Sequence, residues 1–491
     1  MRAPLLIFIS GALVFVVSTA LSILYFISDD ITGGGITEAT LFHILYGFEG
    51  VDIGNFTTYV ALLLISCGGA SLVCWGAWKI CVRKSKAIFD YRPSRVIHLA
   101  VIGGLSVFAV GVHPATLESI AVAKTFYDTR YSSLLSAEIE SFEHVKPPEH
   151  GKSLVYIYAE SLERTFFDPK LFPGLIRELA ELEKTSLSIR GIGQSPLSDW
   201  TIAGMVASQC GMPLATFRHN RNNLSDVQSF LPGATCTGDL LHERGYQLAY
   251  MGGADLSFAG KGRFYFNHHF EDVTGLNEFR TRYGEDLPVS KWGVYDDRLF
   301  EHALKKFRAL SSTKKPFALY LLTLDTHPPL GHPTPACANK SEFKYGNGAS
   351  HILNSVKCSD HLISDLVKRI EAEAGDDVVI IVASDHWMMR SDAAERLAQG
   401  QARENLFIVR GAGIDPKEVT KPSATMDIAP TVLSLLGWDI KTMALGRNLL
   451  GQEPTLVEKY GRDHFYEMVK AWRMNLWQMW RKDSASVDQM M

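Results

Sequence analysis

Val378-Val-Ile-Ile-Val-Ala-Ser-Asp-His386 carries the clearest mark of the fold class in this chain. Its first six residues are apolar without alternation, as a strand buried on both faces of a parallel sheet must be. Four further runs have strand character: Ser153–Tyr158, Tyr246–Met251, Phe317–Leu322 and Leu406–Val409. Helical patterns at Leu171–Lys184, Asp297–Leu310 and Ser359–Ala374 separate them. This alternation predicts an α/β domain with a largely parallel sheet over residues 151–450.

Ligands of such folds sit beyond the carboxyl ends of the strands. The strand ends here read Ala159-Glu160-Ser161, Thr323-Leu-Asp325-Thr326-His327 and Ser384-Asp385-His386. Singly, each acidic residue is more often a cap or half of a surface ion pair. Together, Glu160, Asp325, His327, Asp385 and His386 are a candidate site for a divalent cation with room for substrate oxygens. The segment Gly193–Gly211 turns from a loop into a helix of small residues. Ser198 or Thr201 at its start could serve as a nucleophile, activated by an adjacent metal and aided by the helix N-terminus. Simple capping is the alternative use of either hydroxyl.

The chain has 491 residues, with 46% hydrophobic and 21% charged residues. Disorder is excluded by that composition, and the net charge of −4 argues against a nucleic-acid binder. Most of the apolar surplus lies in residues 1–113. Uncharged stretches at about 4–27, 57–78 and 96–112 predict a membrane anchor of three helical spans. Lys79, Arg83, Lys84, Lys86, Arg92 and Arg95 follow the second stretch, whereas only acidic charges, Asp29 to Asp52, separate the first two. The positive-inside rule then places everything after residue 114 on the outer side of a bacterial inner membrane. Residues 114–150 read as a helical connector ending in Pro147-Pro148. Four cysteines in the exported part allow three pairings, of which short separations favour Cys210–Cys236 and Cys337–Cys358; four buried free thiols are the equal alternative. In residues 451–491, Phe465, Val469, Trp472, Leu476 and Trp480 recur at helical spacing. That pattern predicts an amphipathic helix that packs on its own domain or lies against a membrane surface.

The segments YAESLERT (158–165), SDWTIAGMVASQCGMPL (198–214), MGGADLSFAGKGRFY (251–265), WGVYDD (292–297), LLTLDTHPP (321–329), ASDH (383–386) and MDIAPTVLSLLG (426–437) resemble the sulfatase-fold branch of the alkaline phosphatase superfamily. Within it the chain looks most like the phosphoglycerol transferases, relatives of lipoteichoic acid synthase. The resemblance implies Glu160, Thr201, Asp385 and His386 as metal ligands and Thr201 as the nucleophile, with Ser198 as second choice. It places His327 beside the phosphate or leaving group. Where lipoteichoic acid synthases have a Trp and an Arg near the glycerol phosphate, this chain has Ala259 and Lys261, keeping a cation and losing an aromatic wall. The formylglycine cysteine of true sulfatases is absent, which argues against sulfate-ester hydrolysis.

The resemblance further implies one divalent cation, Mn²⁺ or Mg²⁺, phosphatidylglycerol as donor and a glycan such as a periplasmic glucan as acceptor. The intermediate would be a glycerophospho-threonine, and diacylglycerol would be released into the lipid bilayer. The rival readings are a phosphoethanolamine transferase and a non-catalytic envelope protein on a dead enzyme fold.

Overall fold

The computed structural model describes residues 2–32, 35–37, 110–126, 137–139, 145–215, 229–284, 286–375, 377–400, 402–411 and 413–480, with isolated positions between 40 and 79. The chain divides into two compact units, residues 1–41 with 51–125, and residues 42–50 with 126–491.

In the first unit, helix α1 (Arg2–Thr32) takes in the whole first uncharged stretch. Its described side chains, Val14 to Asp29, leave Phe15, Val16, Leu24 and Phe26 exposed. Helix α2 (Pro114–Phe126) supplies Glu118, whose carboxylate accepts the backbone N–H of Ile36 at 2.7 Å. The expected three-span anchor is not seen: among the described residues, no helix is long and apolar enough to cross a membrane. The second and third stretches, 57–78 and 96–112, lie for the most part outside the described residues.

The second unit is built on one eight-stranded sheet. Its strands are β1 (Ser153–Ala159), β2 (Leu187–Gly193), β3 (Gln247–Gly252), β4 (Asp272–Thr274), β5 (Phe317–Leu322), β6 (Val378–Ser384), β7 (Phe407–Gly411) and β8 (Lys417–Ala424). They run in the order β4-β3-β5-β1-β6-β7-β2-β8. Only β7 opposes its neighbours; the other pairings are parallel.

Side chains alternate across β1. Val155 and Ile157 join the aliphatic core that α5 (Asp296–Ser312) and α6 (His351–Glu373) cover. Tyr156 and Tyr158 point the other way and stack with Tyr320. On that face the Tyr158 hydroxyl meets Ser208 Oγ at 2.8 Å, in helix α3 (Thr201–Cys210).

Three strands escape the sequence pattern for physical reasons. β8 is a polar edge strand carrying Pro422, which only an edge tolerates. β2 bends at a bulge between Arg190 and Ile192. There Gly191 adopts φ +87°, and a Cβ would lie 2.5 Å from the Lys421 carbonyl oxygen. β4 has only three residues. The expected helix Leu171–Lys184 shrinks to Glu178–Glu183, because Pro173-Gly174 breaks it with Gly174 at φ +69°. Helix α6 begins earlier than expected because Ser350 caps it, accepting from Leu353 N at 3.1 Å.

Cys210 is bonded to Cys236, joining α3 to α4 (Thr237–Glu243), and Cys337 is bonded to Cys358. At the C-terminus, the single helix expected from the pattern is broken into Arg462–Ala471, Arg473–Leu476 and a 3₁₀ turn at Trp477–Trp480. Phe465, Val469, Trp472, Leu476 and Trp480 are all buried, and the Trp480 indole donates to the Ala215 carbonyl at 2.6 Å. This apolar face therefore packs within its own unit.

Candidate active site

Strand register assembles the site. Ala159 pairs with Ser384, so the next residues, Glu160 and Asp385, emerge side by side from adjacent parallel strands. Ser161 takes φ +56° and donates its N–H to Asp385 Oδ1 at 2.9 Å. The His386 N–H donates to the same oxygen at 2.9 Å. Glu160 is held from the other neighbour, its N–H donating to Thr323 Oγ1 at 2.8 Å and its carbonyl accepting from Thr326 Oγ1 at 2.6 Å.

Helix α3 brings the hydroxyl. Gly204 lies so close to the end of β6 that a Cβ would sit 1.9 Å from the Asp385 carbonyl oxygen. Any larger residue there would push the helix, and Thr201 with it, off the sheet. The N-cap position belongs to Trp200, and no side chain caps this helix. Thr201 is therefore not spent on capping. Its Oγ1 lies 3.4 Å from Glu160 Oε2 and 3.5 Å from His386 Nε2. Ser198 is turned away, donating to the Ser195 carbonyl at 2.7 Å.

His386 donates its Nδ1–H to the Trp387 carbonyl at 2.7 Å, which leaves Nε2 facing the carboxylates, 3.3 Å from Glu160 and 3.4 Å from Asp385. All three side chains are buried. Burial and the neighbouring Glu160 charge push Asp385 up to about 8. Burial alone would lower His386, but Asp385 and Glu160 override it and raise it to about 10. Burial likewise opposes ionisation of Glu160, and the His386 charge overrides it, holding the carboxyl below its usual range. Asp385 Oδ2 is buried with no hydrogen-bond partner.

This arrangement fits a divalent cation. The donor atoms of Glu160, Asp385 and His386 all lie within 4.8 Å of one another. An orphan carboxylate oxygen and an imidazole nitrogen with its outer nitrogen tied to a carbonyl are what a ligand set needs. A second cluster, Cys236, Asp239 and His268, offers no thiolate because Cys236 is in a disulfide.

Asp325 does not join the cluster. It accepts the N–H groups of Asp296 at 3.3 Å and Thr334 at 3.2 Å, while Asp296 accepts from Leu324 and Asp325. The pair staples a loop. His327 is buried and donates Nδ1–H to the Pro328 carbonyl at 2.7 Å. Burial lowers its pKa, and the Glu160 charge opposes that shift. Lys261 is buried with its ammonium 4.5 Å from the Phe258 ring centroid, and burial pulls it down to about 8.

Sequence reasoning missed the residues that hold the Asp385–Met388 loop. Glu163, fully buried, accepts from Met388 N at 2.9 Å and from Arg403 Nε at 2.9 Å. The Arg403 guanidinium also lies over the Trp387 ring, 5.1 Å from its centroid. Gln194, seven residues before Thr201, accepts the Trp387 N–H at 2.6 Å. No spacing rule points to Glu163 or Arg403, since their partners are distant in sequence. Glu163 steadies the loop whose Trp387 carbonyl holds the His386 ring, so Glu163→Gln is expected to weaken divalent-cation binding by about tenfold, the low end for groups bonded to the ligands themselves. Calorimetric titration checks this, and unchanged affinity would remove Glu163 from that role.

A family model described as Sulfatase matches residues 152–438, and one described as Phosphoglycerol transferase I, N-terminal domain, matches residues 2–127. The chain is 37% identical over 466 residues to Phosphoglycerol transferase I of Xanthomonas euvesicatoria pv. vesicatoria, covering 91% of this chain and 63% of that protein. It is 35% identical over 436 residues to Phosphoglycerol transferase I of Salmonella choleraesuis, covering 88% of this chain and 55% of that protein. The chain thus spans about 55–63% of the length of these two relatives. Among solved structures, a protein in the alkaline phosphatase superfamily from Vibrio parahaemolyticus aligns with TM-score 0.54 and 23% identity, over 68% of this chain and 82% of that one. The lipoteichoic acid synthase LtaP from Listeria monocytogenes aligns with TM-score 0.52 and 15% identity, over 71% of this chain and 97% of that one. With the parallel sheet, the buried acid–imidazole cluster and a family match over more than half of its length, the chain belongs to the sulfatase family.

Proposed function

We propose that this chain is a metal-dependent phosphoglycerol transferase that moves glycerol phosphate from phosphatidylglycerol to an envelope glycan. The observation that carries the reading is the Thr201 hydroxyl, free of capping duty and poised 3.4 Å from Glu160 and 3.5 Å from His386. The two Phosphoglycerol transferase I relatives support the choice of headgroup.

Glu160, Asp385, His386 and Thr201 would hold one Mn²⁺ or Mg²⁺, which supplies Lewis acidity for ionising a hydroxyl and neutralising phosphate charge. Thr201 loses its proton and its oxygen attacks phosphorus. The bond from phosphorus to the diacylglycerol oxygen breaks, leaving glycerophospho-threonine. The departing oxygen takes a proton, balancing the one Thr201 lost. His327, kept neutral at pH 7 by burial, is available to carry it. A sugar hydroxyl then attacks phosphorus, the bond to Thr201 breaks, and the sugar's proton returns to the threonine. Lys261 holds a non-bridging oxygen in both steps.

Headgroup-labelled phosphatidylglycerol incubated with the protein and candidate glycans tests the reading. Label should pass to glycan with release of diacylglycerol. Transfer from ethanolamine-labelled lipid alone would overturn it. The Lys261 assignment gives a pH signature. Its cation is present below about 8 and lost above it. The donor KM should therefore rise about tenfold per pH unit on the alkaline side. Lys261→Arg should move that limb upward, and an unmoved limb would dismiss Lys261.

We further propose three spans, with residues 114–491 outside the cytoplasm of a bacterial inner membrane. The exposed Phe15, Val16, Leu24 and Phe26 on α1 support a lipid-facing helix. A phosphatase reporter fused after residue 130 should be active and one at residue 88 silent; the reverse pattern would sink the lipid-donor mechanism.

A further inference from the structure

We propose that Trp292, with Phe258 beside it, is a stacking platform for a sugar ring of the acceptor, resting on the phosphoglycerol-transfer reading above. Position 259 cannot provide such a surface. Ala259 is 1% exposed and sits at φ +58°, where a bulky side chain is strained. An aromatic wall comes from another loop instead. The Trp292 ring lies 4.1 Å, centroid to centroid, from the ring of His327 and 6.1 Å from that of Phe258. Lys261 lies over the other aromatic, Phe258. Trp292 and Phe258 are both half-buried, so each keeps an accessible part beside the proposed proton carrier and phosphate holder.

The mounting is rigid, which a recognition surface needs. Ser290 N donates to the Gly293 carbonyl at 2.6 Å, and Ser290 Oγ accepts the Trp292 N–H at 3.1 Å. Val289 and Val294 form a β-bridge across this turn. Gly293 adopts φ +142°, and a Cβ there would lie 2.1 Å from the Gly253 carbonyl oxygen. That glycine presses the tryptophan loop against the end of β3, next to the turn that carries Phe258 and Lys261.

The ligand chemistry follows. The accessible part of the flat, apolar indole suits the C–H face of a pyranose, whose hydroxyls project sideways into water. A sugar seated there would present a hydroxyl toward His327 and, beyond it, the phosphothreonine. The chemical class is a neutral hexose unit of a glycan. The rival occupant of the same surface is the glycerol phosphate headgroup.

The test uses the full chain in detergent with Mn²⁺. A neutral gluco-oligosaccharide and, separately, glycerol phosphate are titrated calorimetrically into wild type, Trp292→Leu and Trp292→Tyr. Trp292→Leu keeps the burial and removes the ring. The sugar Kd should rise about three- to tenfold in Trp292→Leu, the size of a stacked aromatic contact. It should rise less than about threefold in Trp292→Tyr, and the glycerol phosphate Kd should move less than the sugar's in both. Sugar affinity equal in wild type and Trp292→Leu overturns the platform, as does loss confined to glycerol phosphate. If Trp292→Leu does not fold, Trp292→Tyr against Phe258→Leu decides, since loss of the Phe258 ring must also weaken sugar binding. Sugar binding that depends on Trp292 without any headgroup transfer by wild type would defeat the transferase reading alone. Transfer without Trp292-dependent sugar binding would defeat the platform alone.

Discussion

Thr201→Ala is expected to lower headgroup transfer from phosphatidylglycerol by on the order of 10⁴-fold or more, because it removes the atom that would form the covalent intermediate. Folding should survive. The Thr201 side chain is half-buried, caps nothing and makes only long contacts of 3.4 and 3.5 Å. Stability should therefore change by less than about 0.5 kcal/mol, as for a surface substitution. Thr201→Ser should retain part of the activity. Ser198→Ala is the internal comparison. That hydroxyl is buried and bonded to the Ser195 carbonyl at 2.7 Å. Its loss should cost about 1 kcal/mol of stability while sparing transfer. Transfer assays with thermal melts of all three variants check both halves. Undiminished transfer by Thr201→Ala, or a collapse confined to Ser198→Ala, would exchange the two roles.

Chelation should produce the second large effect, loss of both activity and stability. Glu160, Asp385 and His386 crowd opposed and like charges into a buried space, where Asp385 Oδ2 makes no hydrogen bond and a divalent cation would neutralise the carboxylates. A cation present at 1,000 times its Kd adds about 4 kcal/mol to folding stability. Readdition of Mn²⁺ should restore the melting temperature and the transfer rate together. The stabilisation should grow as pH rises, because carboxylates and imidazole bind a metal only after protons leave. Asp385→Asn should abolish the metal-dependent part of the melting shift. An exhaustively chelated protein with unchanged melting temperature and full activity would refute the metal assignment.

Much of this was legible in the chain because apolar runs and strand ends are local features. β1, β3, β5 and β6 lie within one residue of their sequence readings, since continuous Val, Ile, Leu and Tyr runs suit only doubly covered strands. Glu160, Asp385 and His386 were identifiable because they follow such runs directly. The direction of β7 was not legible, because a short buried strand reads alike both ways. The edge strand β8 was hidden by its polar composition.

The decisions left to tertiary structure all depend on pairings far apart in sequence. Asp325 and His327 follow the same strand. Only the reciprocal hydrogen bonds with Asp296 remove Asp325 from the cluster, whereas the Glu160 charge acts on His327. Ser198 and Thr201 both stand near the start of one helix, with Thr201 the first choice by resemblance, and the close approach of Gly204 to Asp385 is what brings the Thr201 hydroxyl within 3.4 Å of Glu160. Glu163 and Arg403, 240 positions apart, carry no sequence signal. Local order along the chain was enough for the apolar runs that become β1, β3, β5 and β6 and for the chemistry that stands at their ends. Register, helix approach and burial then decided which of those groups share one small volume, and proximity is what turns separate carboxylates, an imidazole and a hydroxyl into a site.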